Sequence, residues 1–333
     1  MPASFDFQPP QPDVLGVLSS TADLAAAGDP VRIDAEAVRR FARRTAHAPA
    51  PRHAQDALHA THLPPARFAN YLLLLEALNF CFWDDEPRWR VSWDGALHDG
   101  YWALAAALRR GLDADRLPLW DAAWMAAADG AALGALLRGE SRPVPLLQAR
   151  VAHVREAGRV LLERWDGQFA NLIQACAGDA AALALRIVEQ LPSFRDEAAC
   201  GGQVVRFYKR AQICAADLAR MGPPEGLGRL HGLERLTAFA DYKVPQVLRK
   251  EGILVYAAPL AEAVDGRREL AAGGREEVAI RAGTVWACEW IARARSALRG
   301  APAAAMEVDY LLWSAGQDKA GLRPYHRTRT VFY

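Results

Sequence analysis

The clearest chemistry in the chain lies in Phe239-Ala240-Asp241-Tyr242-Lys243-Val244-Pro245. One carboxylate, Asp241, stands between the rings of Phe239 and Tyr242 and close to the cation of Lys243. Aromatic faces accept flat, π-rich ligands. A carboxylate held among them is partly desolvated, which suits acid–base work or stabilisation of a developing cation. A plainer reading stands beside this one, because an Asp just ahead of a helical segment is a common N-cap. Further along, Asp309 and Trp313 lie at i and i+4, so on a helix they share a face, with Tyr310 beside them and Ser314 next in line. An amphipathic C-terminal helix would carry the same pattern. Two short cationic runs, Lys209-Arg210 and His326-Arg327-Thr328-Arg329, offer what an anion needs. Arg grips phosphate through a planar fork and Lys acts as a point charge. Such runs also occur on solvated faces. His53, His59 and His62 have no acidic or thiol partner at ligand spacing, so the expectation is no metal.

Pro245 decides the local shape around Asp241. Proline is tolerated in the first turn of a helix but not in its interior. The expectation is a break near Lys243–Val244, a helix over Pro245–Glu251 stopped by Gly252, and Asp241 at the junction. The remaining elements follow from periodicity and turn residues. Asp34 caps a helix reaching Thr45, and the proline-rich stretch His47–Pro65 reads as a loop with room for one short helix. A helix is expected over Arg67–Leu78, and a hairpin over Arg88–Trp93 and Ala96–Tyr101, turning at Asp94-Gly95. Helical patterns then cover Tyr101–Leu112, Pro118–Ala128, Ala131–Arg138, Pro145–Cys176, Ala180–Gln190, Tyr208–Arg220 and Glu276–Leu298. The last opens on Glu276 and Glu277, favourable against the helix dipole, and carries two apolar stripes, which marks it as central. Residues 1–30, rich in Pro, Asp and Ala, read as a loosely held lead-in to a single domain over 31–333. The fold class is mostly α: one compact helical domain with a small β-hairpin.

Forty basic residues face 39 acidic ones, for a formal charge of +1. That balance argues against a broad nucleic-acid surface, which needs a basic excess. Only Lys209, Lys243, Lys250 and Lys319 are lysines. Five cysteines without a CxxC spacing fit reduced, buried thiols in a cytoplasmic protein, and neither a secretory leader nor a membrane-length apolar run is visible.

Six blocks in series resemble the queuosine salvage family. They are Asn79-Phe80-Cys81-Phe82-Trp83, Leu191–Asp196 (LPSFRD), Phe207–Gln212 (FYKRAQ), Glu277–Arg281 (EVAIR), Val308–Trp313 (VDYLLW) and Pro324–Arg329 (PYHRTR), together with the Asp241 run itself. Ala279 stands where that family carries a glutamate, and Ser314 where it usually carries an aspartate. The resemblance runs from about Ala57 to Tyr333. It implies an N-glycosidase that splits queuosine 5′-monophosphate into queuine and ribose 5-phosphate, for salvage into tRNA modification. The helix–break–helix shape expected around Asp241 resembles, as a fold-level analogy, the helix–hairpin–helix layout of DNA glycosylases, and the expected reaction uses no metal or organic cofactor. On this reading the partner is a small nucleotide, with no direct binding to nucleic acid or membrane. Asp241 becomes the catalytic carboxylate, Phe239, Tyr242 and Lys243 line the ligand, and His59 contacts base or ribose. Queuine is a 7-deazaguanine and has no N7 to protonate. Asp309, with Tyr310 and Trp313, would then accept hydrogen bonds from a guanine-type edge. Lys209-Arg210 or His326-Arg327 would hold the 5′-phosphate. Ser314 opens an alternative, a hydrolase of another 7-deazaguanine or purine nucleotide. A noncatalytic nucleobase- or RNA-binding protein is the third reading.

Overall fold

Fourteen α-helices, three short 3-10 helices and three two-stranded antiparallel sheets make up the regular structure of the described residues, so the mostly α reading holds. The computed structural model describes residues 5–49, 51, 54–223 and 225–333; His53 lies outside them. The chain divides into two compact units. The first takes Met1–Pro51, Asp196–Gln212 and Gly232–Arg329; the second takes Arg52–Arg195, Ile213–His231 and Thr330–Tyr333.

The first unit is built on the helix Arg275–Arg299, whose ends follow helix chemistry. Glu276 and Glu277 sit in its first turn, Arg299 in its last, and Gly300 ends it at φ 67°, a left-handed conformation that favours glycine. Both apolar stripes are buried, as the sequence predicts for a central helix. Helices Val17–Ala26, Ala35–Thr45, Lys243–Lys250 and Ala305–Ala315 pack around it. Strand Val31–Ile33 pairs with Leu254–Tyr256 and crosses the helix at Gly283, where a Cβ would stand 3.0 Å from Val31. Residues 5–26 do more than the lead-in reading allows. Phe5 stacks on Trp290 at 4.9 Å, Phe7 meets Trp286 edge-on at 5.3 Å, and Val17 and Leu18 are buried. Apolar burial outweighs the Pro- and Asp-rich composition there.

A second hairpin, Glu197–Cys200 with Gln203–Arg206, turns on Gly201-Gly202, both at positive φ. It delivers the chain to Phe207, Tyr208 and the helix Lys209–Met221.

The second unit holds the helix Pro65–Ala77, which starts two residues before the expected Arg67 because Pro65 occupies its first position. Its Asn70 side chain donates to the carbonyls of Trp120 and Gly167 at 2.8 Å and accepts from the Phe169 amide at 2.7 Å. The expected hairpin forms as Arg90–Trp93 with Ala96–Asp99, turning at Asp94-Gly95 with both φ positive. The single long helix read over Pro145–Cys176 is two, Leu147–Arg164 and Phe169–Ala175. Asp166 and Gly167 at φ 51° and 73° break it, which apolar periodicity alone does not register. Among the described residues no helix is long and apolar enough to cross a membrane, and all five cysteines are free.

Candidate active site

The centre of the first unit is an irregular but buried run, Leu236–Tyr242. Buried backbone without a helix or strand ladder must find its hydrogen bonds elsewhere. Here side chains supply them. Gln212 Oε1 accepts from the Thr237 amide at 2.8 Å, Asp309 Oδ2 accepts from the Phe239 amide at 2.9 Å, and Arg281 Nε donates to the Ala240 carbonyl at 3.0 Å.

Asp241 follows and closes the run. Its Oδ1 accepts from the amides of Lys243 at 2.7 Å and Val244 at 2.9 Å. The helix begins at Lys243, two residues earlier than Pro245 alone suggests, and the proline occupies its first turn, where the missing N–H costs nothing. The cap reading is therefore correct as far as it goes. Both capping bonds end on one oxygen of the carboxylate. Asp241 is 8% exposed, and burial holds its pKa above the usual carboxylate range, opposed by the Lys209 charge and then by the two amides.

Asp309 lies on the helix Ala305–Ala315 and is 3% exposed. Burial, and then the charge of Asp241, push its pKa up to about 8; the Phe239 amide and Lys209 pull the other way. That value favours the protonated form at neutral pH. Asp309 is thus a hydrogen-bond donor rather than the ionised, two-acceptor group read from the sequence. Two buried carboxylates and one buried lysine thus act on one another: the Lys209 charge pulls both carboxylates down, and the Asp241 charge pushes Asp309 up.

The other candidates sort around this cluster. Phe239 meets Tyr310 edge-on at 5.8 Å, and Tyr242 lies 4.8 Å from Tyr325. Trp313 and Ser314 are half-buried on the Asp309 helix. Lys243 Nζ bonds the Gly316 carbonyl at 3.1 Å, so it caps the end of that helix. Lys209 and Arg210 are buried, not a solvated face, and Lys209 acts on both carboxylates, which the phosphate reading did not foresee. His326 is buried, and desolvation followed by the Arg281 charge lowers its pKa to about 3. It is neutral, so the cationic character of the C-terminal block comes from Arg327 and Arg329; Arg329 lies 3.6 Å from Glu269. His59 belongs to the second unit. It is buried near Tyr101 and Trp102 with its pKa lowered to about 4, by desolvation first, so it too is neutral. Among the described residues no three His, Cys, Asp or Glu side chains gather as a metal-ligand set.

Two groups that the sequence reading quoted but gave no role sit beneath the cluster. Arg281 makes a two-pronged ion pair with Asp196, at 2.8 and 2.5 Å, over the Phe207 ring at 3.8 Å. The signal was present, an Arg and an Asp in motif blocks 85 residues apart, but nothing in the sequence pairs them.

Comparison with known proteins places this arrangement. A family described as queuosine salvage protein matches residues 58–333, which contain every candidate residue above. The chain belongs to the queuosine salvage family. A relative from Sphaerobacter thermophilus, named queuosine 5′-phosphate N-glycosylase/hydrolase, is 46% identical over 323 residues, covering 96% of this chain and 98% of its own. Mouse (Mus musculus) and fission yeast (Schizosaccharomyces pombe) proteins of the same name are 34% and 28% identical over 276 and 262 residues. They cover 79% and 75% of this chain, and 81% and 75% of their own. The salvage family is the one that the six sequence blocks resemble.

Proposed function

We propose that this chain hydrolyses the N-glycosidic bond of queuosine 5′-monophosphate, giving queuine and ribose 5-phosphate. The observation that carries the reading is a pair of buried carboxylates, Asp241 and Asp309, both bonded to backbone amides within residues 239–244 and both under the charge of the buried Lys209, in a chain of the salvage family. Splitting the bond leaves positive charge on the sugar and an electron pair on the base. Asp309, protonated at rest, gives the departing base its proton. Asp241, acting as the carboxylate, stabilises the sugar cation and takes a proton from the water that adds to the anomeric carbon. The pair ends with its proton on the other carboxylate, and one transfer between them resets the site. Phe239, Tyr310 and Trp313 supply faces for the base, Arg327 a fork for the phosphate. Two carboxylates suffice for this chemistry without a metal or organic cofactor.

The enzyme is read as cytoplasmic, and as acting on free nucleotide rather than on nucleic acid, the latter supported by the near-equal count of 40 basic and 39 acidic residues. Ser314, half-buried one residue past Trp313, favours a second reading in which the base is a related 7-deazaguanine. Incubation with queuosine 5′-monophosphate, other 7-deazaguanine monophosphates and GMP, followed by chromatography of free base, tests both. Queuine release is expected. Base release only from a different nucleotide moves the assignment to that substrate, and release from none overturns the hydrolase reading in favour of a binding protein.

A further inference from the structure

We infer that Arg281, braced by Asp196 and Phe207, is a positioning residue that sets the geometry between Lys209 and the two carboxylates. The inference deepens the glycosidase reading above and rests on it for its kinetic consequence.

The observations converge on one guanidinium. Arg281 is 2% exposed, and its three nitrogens are directed to two different segments. Nε holds the Ala240 carbonyl, the peptide immediately before Asp241. The two terminal nitrogens hold both oxygens of Asp196. Asp196 in turn accepts from the Lys209 amide at 3.2 Å through Oδ2, and from the amides of Phe207 and Tyr208 through its backbone carbonyl at 3.0 and 3.3 Å. One side chain therefore ties the residue before the catalytic carboxylate to the backbone that presents the lysine. Tyr208, between these points, sits at φ 51°, a left-handed conformation rare for a large side chain. Its hydroxyl donates to Glu197 at 2.5 Å and so pins the bend on the hairpin side. A strained residue held from both ends marks a segment whose placement matters more than its own stability.

A buried ion pair is a poor source of net stability, since desolvation offsets most of its attraction. It is a good source of fixed geometry, because a planar fork meeting a carboxylate at two points allows little rotation. Glu277, 3.5 Å from Arg281, and the neutral His326 are also near it. Asp309 itself faces Asp241, Lys209 and the buried Cys288 thiol.

Arg281→Lys tests the inference, because it keeps the charge but cannot hold both segments at once. With turnover misaligned, kcat on queuosine 5′-monophosphate should fall roughly 10- to 100-fold while KM changes little. Independently of turnover, carbon NMR of aspartate-labelled protein reads the Asp309 titration, and looser packing should move it about one pH unit or more toward acid. Phe207→Leu, which removes the shelf under the guanidinium without touching charge, should move both readouts the same way and serves if Arg281→Lys does not fold. A folded variant with kcat within about twofold of wild type and an unmoved Asp309 titration overturns the positioning role. Loss of folded protein with unchanged kcat per folded molecule and unmoved titration overturns it equally, by assigning the pair to stability. If the wild type releases no base, the glycosidase reading fails, and the NMR titration alone still decides whether Arg281 sets the carboxylate geometry.

Discussion

Replacing Asp241 by asparagine separates its two jobs, because the structure gives each a different magnitude. As a cap, Asp241 satisfies the Lys243 and Val244 amides with one oxygen, and the side-chain oxygen of Asp241→Asn can take both. Asparagine is as good an N-cap as aspartate, whereas Asp241→Ala forfeits about 0.5–2 kcal/mol. Asp241→Asn also removes a charge that burial disfavours. Its unfolding free energy should therefore stay within about 1 kcal/mol of wild type. As a catalytic group, Asp241 faces charge that exists only in the transition state, and losing such a group costs about 10²–10³ in rate, or ~2.7–4 kcal/mol. The assay is single-turnover release of queuine from queuosine 5′-monophosphate, with thermal unfolding of the same preparation. The expected pattern is an unaltered melting transition and turnover down by at least two orders of magnitude. A folded Asp241→Asn enzyme within about tenfold of wild type would refute the reasoning, since a cap alone explains stability and none of the rate.

Asp309→Asn should change the pH dependence of stability. The folded pKa of about 8 lies above the ~3.9 of an unfolded aspartate, so the folded state holds the proton more tightly. The linked stability is fully present below the unfolded value and is lost as pH rises through about 8. Melting from pH 5 to 9 should thus show a steeper decline for wild type than for Asp309→Asn, and parallel curves would contradict the shift. Arg327→Ala should erase most of the preference in kcat/KM for the monophosphate over the nucleoside, a contact of ~1.5–3 kcal/mol or roughly 10- to 150-fold. Lys209→Ala should slow both substrates, and an unchanged preference in Arg327→Ala would move the phosphate elsewhere. Asn70→Ala leaves the buried Phe169 amide and two half-buried carbonyls of the second unit without this partner and should cost about 1–3 kcal/mol in denaturant unfolding.

Much of the site was legible because its signals are local. A lone carboxylate between rings, a proline two residues past Lys243 and an Asp-Gly turn each act within a few residues, and each structure follows from steric rules at that spot. The Gly201-Gly202 hairpin was equally readable by that logic and was passed over, because the residues flanking it alternate weakly. What stayed hidden is long-range. Asp241 and Asp309 lie 68 positions apart and Asp196 and Arg281 lie 85 apart; periodicity says that a helix has a buried face, not which side chain that face meets. Protonation was hidden for the same reason. His326 and Arg327 look alike as cations in a row of letters, and only burial makes one of them neutral.

The stacking of Phe5 and Phe7 on Trp290 and Trp286 bears on how this protein should be cut. The family match starts at residue 58, and a fragment trimmed to that border would keep every candidate catalytic side chain. It would also strip the indoles of the long helix bare and unpair the strand Leu254–Tyr256, a few residues beyond the Asp241-capped helix. The stretch that carries the family's letters is thus smaller than the piece that folds. The C-terminal side is no safer by default, since His326 and Thr328 are buried there. For this chain the usual freedom to decorate an end is a variable to be controlled, and the indole emission of Trp286 and Trp290 is the natural gauge of whether an expression design has left the frame intact.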